Sequence, residues 1–484
     1  MQNSPRETPE PERNPMIQAT LIDHAVAAAR AGMPRTLEQL TALVRIPSCS
    51  FPGYDPAQVV ASAQATAEWL RTAGYPEVRV VELPGCPHPY VLAADRRAGP
   101  GKPTVLLYAH HDVQPPLRLD RWTSPPHAPE VRDGRLYGRG AADDKAGIAA
   151  HAGAQAAWVA TAGGPPVNVV VLIEGEEEIG SPNFTRFLAA HRQELQADCV
   201  VIADLANVAL GLPSLTTSLR GNLVLEVELS ALAKPLHSGM WGGAVPDPVQ
   251  ALCKLVAGLM DETGAIRVPG VNDRVRPLTA VEEAGFARIP FDPAVFAAQA
   301  GLKAGTAGLV NADGAATHAA LWRRPSLTVN AIQAGTRGQT GNVVMDAAWA
   351  RLSVRLVPDQ DPAEVERLLV DHLHAHAPAW ATLTITGRGS GGRPWATATD
   401  HPLFATAREA LRQGYGVAPV EIGCGASIPF VGDIVEALGG VPAILIGVED
   451  PACGAHAEDE SVPLADLESA IAAETAFLGL LARG

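Results

Sequence analysis

The sequence predicts an α/β fold with a mostly parallel central sheet, interrupted by a second domain with an antiparallel sheet. Apolar strands alternate with helical segments up to residue 213, which is typical of a three-layer domain with a parallel sheet between helices. Residues 214–396 instead carry longer strands in which polar and apolar side chains alternate. The first pattern returns at Pro402. We therefore expect one domain from residues 16–213 and 397–484, with an α+β domain inserted at 214–396.

The composition excludes several classes of protein. The chain has 484 residues, more than the roughly 100–200 of an ordinary single domain. Its formal net charge of −15 argues against broad electrostatic binding to nucleic acid or to anionic membranes. No apolar run approaches the ~20 residues that span a bilayer. We therefore expect a folded protein that binds neither nucleic acid nor membranes.

The chain ends and the cysteines indicate the compartment. Residues 1–15 are polar, rich in Pro and Glu, and lack a secretory signal, so we expect a disordered lead and a cytoplasmic protein. The six cysteines show no C-x-x-C spacing. This predicts reduced thiols rather than a thiolate zinc site or a disulfide framework.

Local patterns predict the individual elements. Thr36 and Gln39 form a capping box, so we expect the first helix to begin there and to end before Pro47. Gly74 ends a second helix at 57–72. The other expected elements are, in chain order, strands at 78–83, 90–94 and 105–107, a helix from Asp144 to about Thr161, a strand at 168–173, a helix after Pro182, strands at 199–204 and 223–229, a helix at 247–260, strands at 326–330 and 350–356, helices at 361–376 and from Pro402, a strand at 442–447 and a final helix.

The stretch Tyr108–Pro116 is the first candidate for chemistry. It connects an apolar strand to a proline-rich loop through His110 and Asp112. Because side chains alternate along a strand, these two residues point to one side and His111 to the other. An imidazole and a carboxylate can therefore share one metal site, whereas His111 is expected to pack in another layer.

Acidic residues follow the ends of neighbouring elements. Asp143 and Asp144 stand after a glycine-rich turn at the start of a helix, Glu174–Glu178 follows an apolar strand, and Asp204 ends another. Alone, each cluster has an ordinary explanation as a helix cap or a solvated loop. Sites in parallel sheets form beyond the carboxyl ends of the strands, so the combination predicts one shared functional site.

Eight segments between residues 108 and 458 together match one known pattern. They are Tyr108–Pro115, Leu136–Lys145, Glu174–Ser181, Leu219–Gly221, Leu236–Gly243, Val354–Asp359, Gly425–Pro429 and Gly454–Glu458. They resemble the dinuclear zinc peptidases and amidohydrolases, a family that includes carnosinase, aminoacylase and succinyl-diaminopimelate desuccinylase. The resemblance is closest to the carnosinase-like dipeptidases. It implies that the inserted domain serves as a lid and dimerisation domain.

The resemblance implies a ligand set for two Zn²⁺ ions, with Mn²⁺ or Co²⁺ as alternatives. All ligands are nitrogen or oxygen donors, which suits a hydrolytic metal pair. It also implies a cis peptide bond after the bridging aspartate. The implied ligands are His110 and Asp204 for one ion, Glu178 and His456 for the other, and Asp143 as the bridge.

Further roles follow from the same resemblance. Glu177 is the implied general base, and Asp112 the implied partner that orients the His110 ring. His237 is implied to reach the active site of a partner subunit and to stabilise the oxyanion, which requires a homodimer. The implied substrate contacts are Arg355, which grips a free C-terminal carboxylate, the donors Gly425 and Ser427, and Asn330.

One departure and one decoy qualify the match. Where carnosinase-like enzymes carry Arg-Glu before the segment that aligns with Gly425–Pro429, this chain has Gly423 and Cys424. Recognition of the amino end of the substrate is therefore open, with Glu421 as a candidate replacement. Cys424 has no evident activating histidine and is not interpreted as a nucleophile. The His residues of 372–376 have metal-ligand spacing, but no carboxylates complete a site, which favours a solvated helix face.

The expected function is therefore a metal-dependent dipeptidase acting on small peptides. Two alternatives stay open. One is an N-acyl-amino-acid amidohydrolase with the same metal pair, and the other is a metal-binding protein without turnover. The presence of Glu177 argues against the latter.

Overall fold

The computed structural model describes residues 15–303, 306, 313–338 and 341–483. These residues form two compact units. The first comprises residues up to 215 together with 400–419 and those from 437 onward, and the second comprises 216–399 and 420–436. The predicted disordered lead lies outside the described residues except for Pro15, which begins a helix.

The helices and strands are numbered along the chain. The helices are α1 (Pro15–Ala31), α2 (Met33–Val44), α3 (Pro56–Ala73), α4 (Lys145–Ala162), α5 (Phe184–His191), α6 (Ser238–Trp241), α7 (Pro248–Ala257), α8 (Ala280–Ala287), α9 (Pro293–Gln299), α10 (Gly314–Trp322), α11 (Pro362–His376), α12 (Pro402–Tyr415), α13 (Pro429–Ala437) and α14 (Leu464–Leu481). The strands are β1 (Glu77–Val81), β2 (Tyr90–Asp95), β3 (Thr104–His110), β4 (Glu130–Arg132), β5 (Arg135–Tyr137), β6 (Asn168–Glu174), β7 (Cys199–Ile202), β8 (Ser214–Leu219), β9 (Gly221–Ser230), β10 (Leu236–His237), β11 (Ser326–Gln333), β12 (Val343–Val344), β13 (Ala347–Leu356), β14 (Thr382–Gly392), β15 (Trp395–Ala396), β16 (Val420–Cys424), β17 (Ala443–Leu445) and β18 (Ser461–Pro463). Short 3-10 turns lie at Leu119–Arg121 and Glu177–Ile179.

The first unit is built on a mostly parallel sheet, which confirms the predicted fold class. Six of its strands lie in the order β1-β2-β6-β3-β7-β17. β3 runs parallel to β6 and β7, and β17 runs parallel to β7, while β1 and β2 add antiparallel pairs at one edge. The carboxyl ends of the four parallel strands therefore meet at one edge of the sheet. This edge carries the predicted ligands.

Small side chains allow helices to pack closely beside this sheet. A Cβ atom added to Gly153 of α4 would lie 2.8 Å from Cγ2 of Ile471 on α14. In the same helix pair, the buried Trp158 donates from Nε1 to the carbonyl of Thr475 at 2.9 Å. The many alanines of α4 thus serve close approach, and the helix is buried around most of its circumference.

The second unit contains an antiparallel sheet in the order β11-β13-β9-β14. Buried and more exposed residues alternate along β9 and β13, as the period of a half-buried strand requires. Leu225 and Leu352 on this sheet share an apolar core with Leu252 of α7 and Leu369 of α11. This is the sheet covered by helices that the alternating sequence pattern predicted.

The second unit differs from the predicted insert in one segment. Residues 420–436 belong to it, although the sequence assigned everything after residue 397 to the first domain. The reason is long-range pairing, since β16 pairs with β8 and Thr217 donates to the carbonyl of Ile422 at 3.1 Å. The sequence gives no local signal for a return of the chain to the insert.

The amino-terminal helices also differ from the prediction. α1 begins at Pro15 and α2 begins at Met33. The prediction that the first helix begins with a capping box at Thr36 was therefore wrong. Pro34 lies in the first turn of α2, where its missing N–H has no intrahelical partner to lose. Thr36 instead donates to the carbonyl of Gly32 at 3.4 Å, from inside the helix. In the part of the chain that the structure describes, no helix has the length and apolarity needed to cross a membrane.

Candidate metal centre

The five predicted ligands come together beyond the carboxyl edge of the parallel sheet. His110 is the last residue of β3, and Asp204 stands two residues after β7. Glu178 lies in the turn that follows β6, and Asp143 precedes α4. His456 arrives from the loop between β17 and β18, with a left-handed backbone at φ 64°. The edge predicted from the strand ends therefore holds the whole set.

Asp143 is the centre of this arrangement. Its Oδ1 lies 3.0 Å from Nε2 of His110, and its Oδ2 lies 2.9 Å from Nε2 of His456. The first imidazole is also 3.7 Å from Asp204, and the second is 3.3 Å from Glu178. Two groups of potential ligands thus share Asp143, with the donor atoms of each group within 4.8 Å of one another.

Burial makes this concentration of carboxylates costly. Burial and the charge of Asp143 raise the pKa of Glu178 to about 7. The pKa of His456 rises to about 11 because the imidazolium bonds to Asp143 and Glu178. Burial alone would lower the pKa of His110, but the charge of Asp204 and bonds to nearby carboxylates raise it. The imidazoles of His110 and His456 therefore lie among carboxylates whose negative charge favours a positive charge beside them.

The same residues fit a pair of divalent cations. Each group offers one imidazole nitrogen and two carboxylates, and one carboxylate has an oxygen directed at each group. These are the nitrogen and oxygen donors that Zn²⁺ and its first-row neighbours take in hydrolytic sites. A cation in each group would neutralise part of this negative charge. The donor chemistry and the electrostatics agree.

Asp112 contacts both the ring of His110 and the backbone of the segment that carries Glu177 and Glu178. It is fully buried, and its Oδ1 lies 3.4 Å from Nδ1 of His110. Its two oxygens also accept the backbone N–H groups of Glu177 and Glu178, at 3.2 and 3.1 Å, and Ser50 donates to it at 2.7 Å. Asp112 therefore contacts the ring of one predicted ligand and fixes the backbone of another, the geometry expected of an orienting carboxylate.

Glu177 faces the same space as the ligands. Its Oε2 lies 4.0 Å from Nε2 of His110, and 20% of its side chain is exposed. Burial and the carboxylates of Asp204 and Glu178 raise its pKa, against the opposing charge of His110. A carboxylate at this position can take up a proton beside the ligands.

The loop that carries Asp143 is fixed by a residue that sequence reasoning missed. The carboxylate of Glu460 accepts the N–H groups of Gly140, Ala142 and Asp143 at 2.8, 2.9 and 3.1 Å. Arg139, 1% exposed, donates to it at 2.6 Å. The peptide bond between Asp143 and Asp144 is cis, as the resemblance implied. Nothing in the sequence distinguishes Glu460 from its acidic neighbours Glu458 and Asp459.

Two more carboxylates near the centre have defined surroundings. Asp144 caps α4 by accepting from Gly147 at 3.1 Å, and it also accepts the N–H of His110 at 3.2 Å. Glu449 follows β17, and burial together with the charges of Asp143 and Asp204 raises its pKa. Sequence reasoning gave Glu449 no role, because a single Glu after a strand carries no distinguishing pattern.

The predicted substrate residues lie in the second unit. Arg355 donates from Nη1 to the hydroxyl of Ser427 at 3.0 Å, and the carbonyl of Gly425 accepts from Arg220 at 3.1 Å. Burial and the positive charge of Arg355 lower the pKa of Arg220 to about 10, so two guanidinium groups lie close enough to repel. This unit therefore presents an anion-attracting cluster.

Asn330 and His237 are exposed in the same unit. Asn330 lies where the register of β11 shifts against β13, between Val329 and Ala331. His237 ends β10, and its Nδ1 accepts the N–H of Gly239 at 3.1 Å. Both side chains are therefore available on the surface of the described unit.

Three other histidines have the surroundings expected of structural residues. His111 is fully buried, and its Nε2 lies 2.9 Å from the carbonyl of Pro89. His372 and His376 stack on one another along α11 with their ring centroids 3.9 Å apart. Among the described residues, none of these three histidines belongs to a group that could hold a metal. Cys424 accepts the N–H of Ala426 at 3.4 Å.

The comparison with known proteins decides the family. Residues 106–479 match the model of Peptidase family M20/M25/M40. This chain belongs to that family. An M20 member is a metallopeptidase, so the resemblance to metal-dependent peptidases read from the sequence is confirmed.

The six cysteines, expected to be free, form no disulfide in the structure.

Relatives within and beyond bacteria share most of the chain. The cysteinylglycine-S-conjugate dipeptidase of Corynebacterium striatum is 33% identical over 398 residues, 81% of this chain and 85% of that protein. The human Beta-Ala-His dipeptidase is 31% identical over 382 residues, 78% and 74% of the two chains. The crystal structure of human carnosine dipeptidase 1 superposes with a TM-score of 0.79 at 26% identity, covering 96% of this chain and 99% of that one.

The Glu460 cluster gives a prediction for stability. Replacing Glu460 by Gln leaves Arg139 buried without its charge partner, which costs about 3 kcal/mol or more of unfolding free energy. The matched control is Glu468→Gln, which removes an ion pair to Arg30 between side chains about 40% exposed and should cost about 0–1 kcal/mol. Urea denaturation followed by circular dichroism measures both. Equal losses in the two variants would contradict the structural role of Glu460.

Proposed function

We propose that this chain is a dipeptidase that hydrolyses the peptide bond of dipeptides with a free C-terminal carboxylate. The observation that carries the proposal is the position of Asp143 between His110 and His456, with Glu177 beside them. The names of the relatives support the substrate class, since the proteins of Corynebacterium striatum and human described above are both dipeptidases.

The proposed metal ligands follow the two observed groups. His110 and Asp204 would hold one cation, Glu178 and His456 would hold the other, and Asp143 would contribute to both, in line with the two groups of potential ligands. Two Zn²⁺ ions are the proposed pair, with Mn²⁺ or Co²⁺ as alternatives of the same donor preference. When bound, the two cations lower the pKa of a water molecule and polarise the scissile carbonyl.

Glu177 is the proposed general base. It accepts the proton of the attacking water and later gives that proton to the leaving amine. Its backbone N–H is held by Asp112 at 3.2 Å, so the carboxylate approaches the site from a fixed position. Burial and the neighbouring carboxylates raise its pKa against the opposing charge of His110, which favours uptake of the proton.

Arg355 and Ser427 are proposed to bind the carboxylate of the substrate. The guanidinium and the hydroxyl are already in contact at 3.0 Å and offer several donors to one anion. Mutual repulsion of Arg355 and Arg220 would be relieved by a bound negative charge. Gly425 and Asn330 are proposed as further contacts in this unit.

The chain is proposed to form a homodimer in the cytoplasm. In this dimer, His237 is proposed to reach the active site of the partner subunit and to stabilise the oxyanion there. Its imidazole is exposed, and the large apolar side chains of Met240 and Trp241 are 76% and 47% exposed close by in sequence. Apolar side chains of this size on a surface favour contact with another protein chain.

Glu177→Gln tests the base. The substitution keeps the shape of the side chain but removes its ability to accept a proton, so kcat should fall by about 10²–10⁴. Cation content, measured by atomic emission on the same sample, should stay at the level of the unmodified protein. Glu68→Gln, with a side chain 67% exposed, is the matched control and should hydrolyse normally. Normal turnover by the Glu177 variant would refute the assignment.

Arg355→Gln tests recognition of the carboxylate. Loss of a charged hydrogen bond of about 1.5–3 kcal/mol should raise KM for dipeptides by roughly tenfold to a hundredfold. Dipeptide amides, which lack the carboxylate, should be hydrolysed equally by both proteins. Arg351→Gln is the control on the same strand, because Arg351 bonds to the partly exposed Glu226 instead. A uniform loss on both substrate classes would show that Arg355 has another task.

Mixing two variants tests the donation of His237. Glu177→Gln and His237→Ala should each be inactive as homodimers. A mixed dimer has one site that combines an intact Glu177 with the intact His237 of the other subunit, so activity should return when the subunits exchange. If His237 acts within its own subunit, both sites of the mixed dimer lack one group and no activity returns.

A further inference from the structure

Outside the centre around Asp143, the described residues hold one more group of metal-ligating side chains. It consists of Cys86, His88 and Glu176, with the donor atoms within 4.8 Å of one another. Cys86 and His88 lie in the loop between β1 and β2, and Glu176 follows β6. None of these residues has a part in the proposed hydrolysis.

The carboxylate of Glu176 is fixed by its neighbours. Tyr90 donates its hydroxyl at 2.7 Å, and Asn183 donates both its backbone N–H and its side-chain amide, at 2.8 and 3.0 Å. The Sγ atom of Cys86 lies 3.2 Å from Oε2 of Glu176. The Sγ atom of Cys86 and the Oε2 atom of Glu176 are therefore close enough to bind the same ion.

His88 supplies an independent indication of a ligand. Its side chain is 8% exposed, and its Nδ1 is buried without a hydrogen-bond partner. That nitrogen lies 3.8 Å from Oε2 of Glu176, too far for a hydrogen bond. A buried polar atom without a partner costs free energy unless something outside the protein binds it. Here the atom faces a thiol and a carboxylate.

We propose that Cys86, His88 and Glu176 bind a third divalent cation of the zinc type. Thiolate, imidazole and carboxylate are all ligands of Zn²⁺, and three protein ligands leave a fourth position for solvent. On binding, the thiol releases its proton to solvent and Nδ1 of His88 gives its lone pair to the ion. Cys86 is only partly buried, which leaves a way in.

The third ion connects the β1–β2 loop to the segment of the proposed base. Glu176 directly precedes Glu177, and the carbonyl of Pro89 in the same loop bonds to His111, the neighbour of His110. The site is thus chemically separate from the Asp143 centre, whose ligands include no sulfur, but is joined to it through the backbone.

Cobalt substitution distinguishes this site from the other two. The full-length chain, stripped of metal by a chelator, is titrated with Co²⁺. A thiolate bound to Co²⁺ gives a charge-transfer band in the near ultraviolet, which nitrogen and oxygen ligands do not give. We expect this band and three bound equivalents. Cys86→Ser should lose the band and one equivalent, whereas Cys253→Ser, at an exposed thiol, should keep both.

The proposal is overturned if no thiolate band forms in the unmodified chain, or if the band persists in Cys86→Ser. A second measurement needs no variant, in case Cys86→Ser does not fold. Iodoacetamide labelling of Cys86, mapped by mass spectrometry, should slow by about tenfold or more with Zn²⁺ because a bound thiolate is shielded. Equal labelling with and without Zn²⁺ would also overturn it. Neither readout depends on hydrolysis, so a failure of the proposed function stays separate.

Discussion

The centre depends on the contacts of one buried carboxylate with two imidazoles. Asp143 lies between His110 and His456, and three further carboxylates crowd the same edge of the sheet. Burial disfavours so much negative charge, so positive charge must be present. The two imidazoles can carry it when they are protonated, and divalent cations bound by the same side chains would supply it as well. The preference of the site for cations follows from this excess of buried negative charge.

Backbone hydrogen bonds to carboxylates fix the positions of the ligands. Asp112 accepts the N–H groups of Glu177 and Glu178, and Glu460 accepts those of the loop that ends at Asp143. Each of these carboxylates comes from a segment distant in sequence from the loop that it holds. The ligand positions are therefore determined by the complete first unit, and the atoms around the reacting groups are held in place before substrate arrives.

The sequence predicted what local periodicity and strand ends determine. The parallel sheet and the gathering of His110, Glu178 and Asp204 followed from apolar strands that end next to potential ligands. Long-range partners could not be found this way. Glu460 bonds to residues about 320 positions earlier, and Cys86 meets Glu176 across 90 residues, although the Cys86-x-His88 spacing was a weak signal. The sequence placed the start of a helix at Thr36, whereas α2 begins at Met33 with Pro34 in its first turn, a position that proline favours.

Diffraction from crystals of the zinc-loaded chain, with anomalous differences recorded at the zinc edge, tests the central claim most directly. We expect two anomalous peaks flanking Asp143. One should lie about 2.0–2.2 Å from His110 and Asp204, and the other at the same range from Glu178 and His456. A single peak at this centre, or peaks bound without Asp143, would contradict the proposal that Asp143 joins two metal ions.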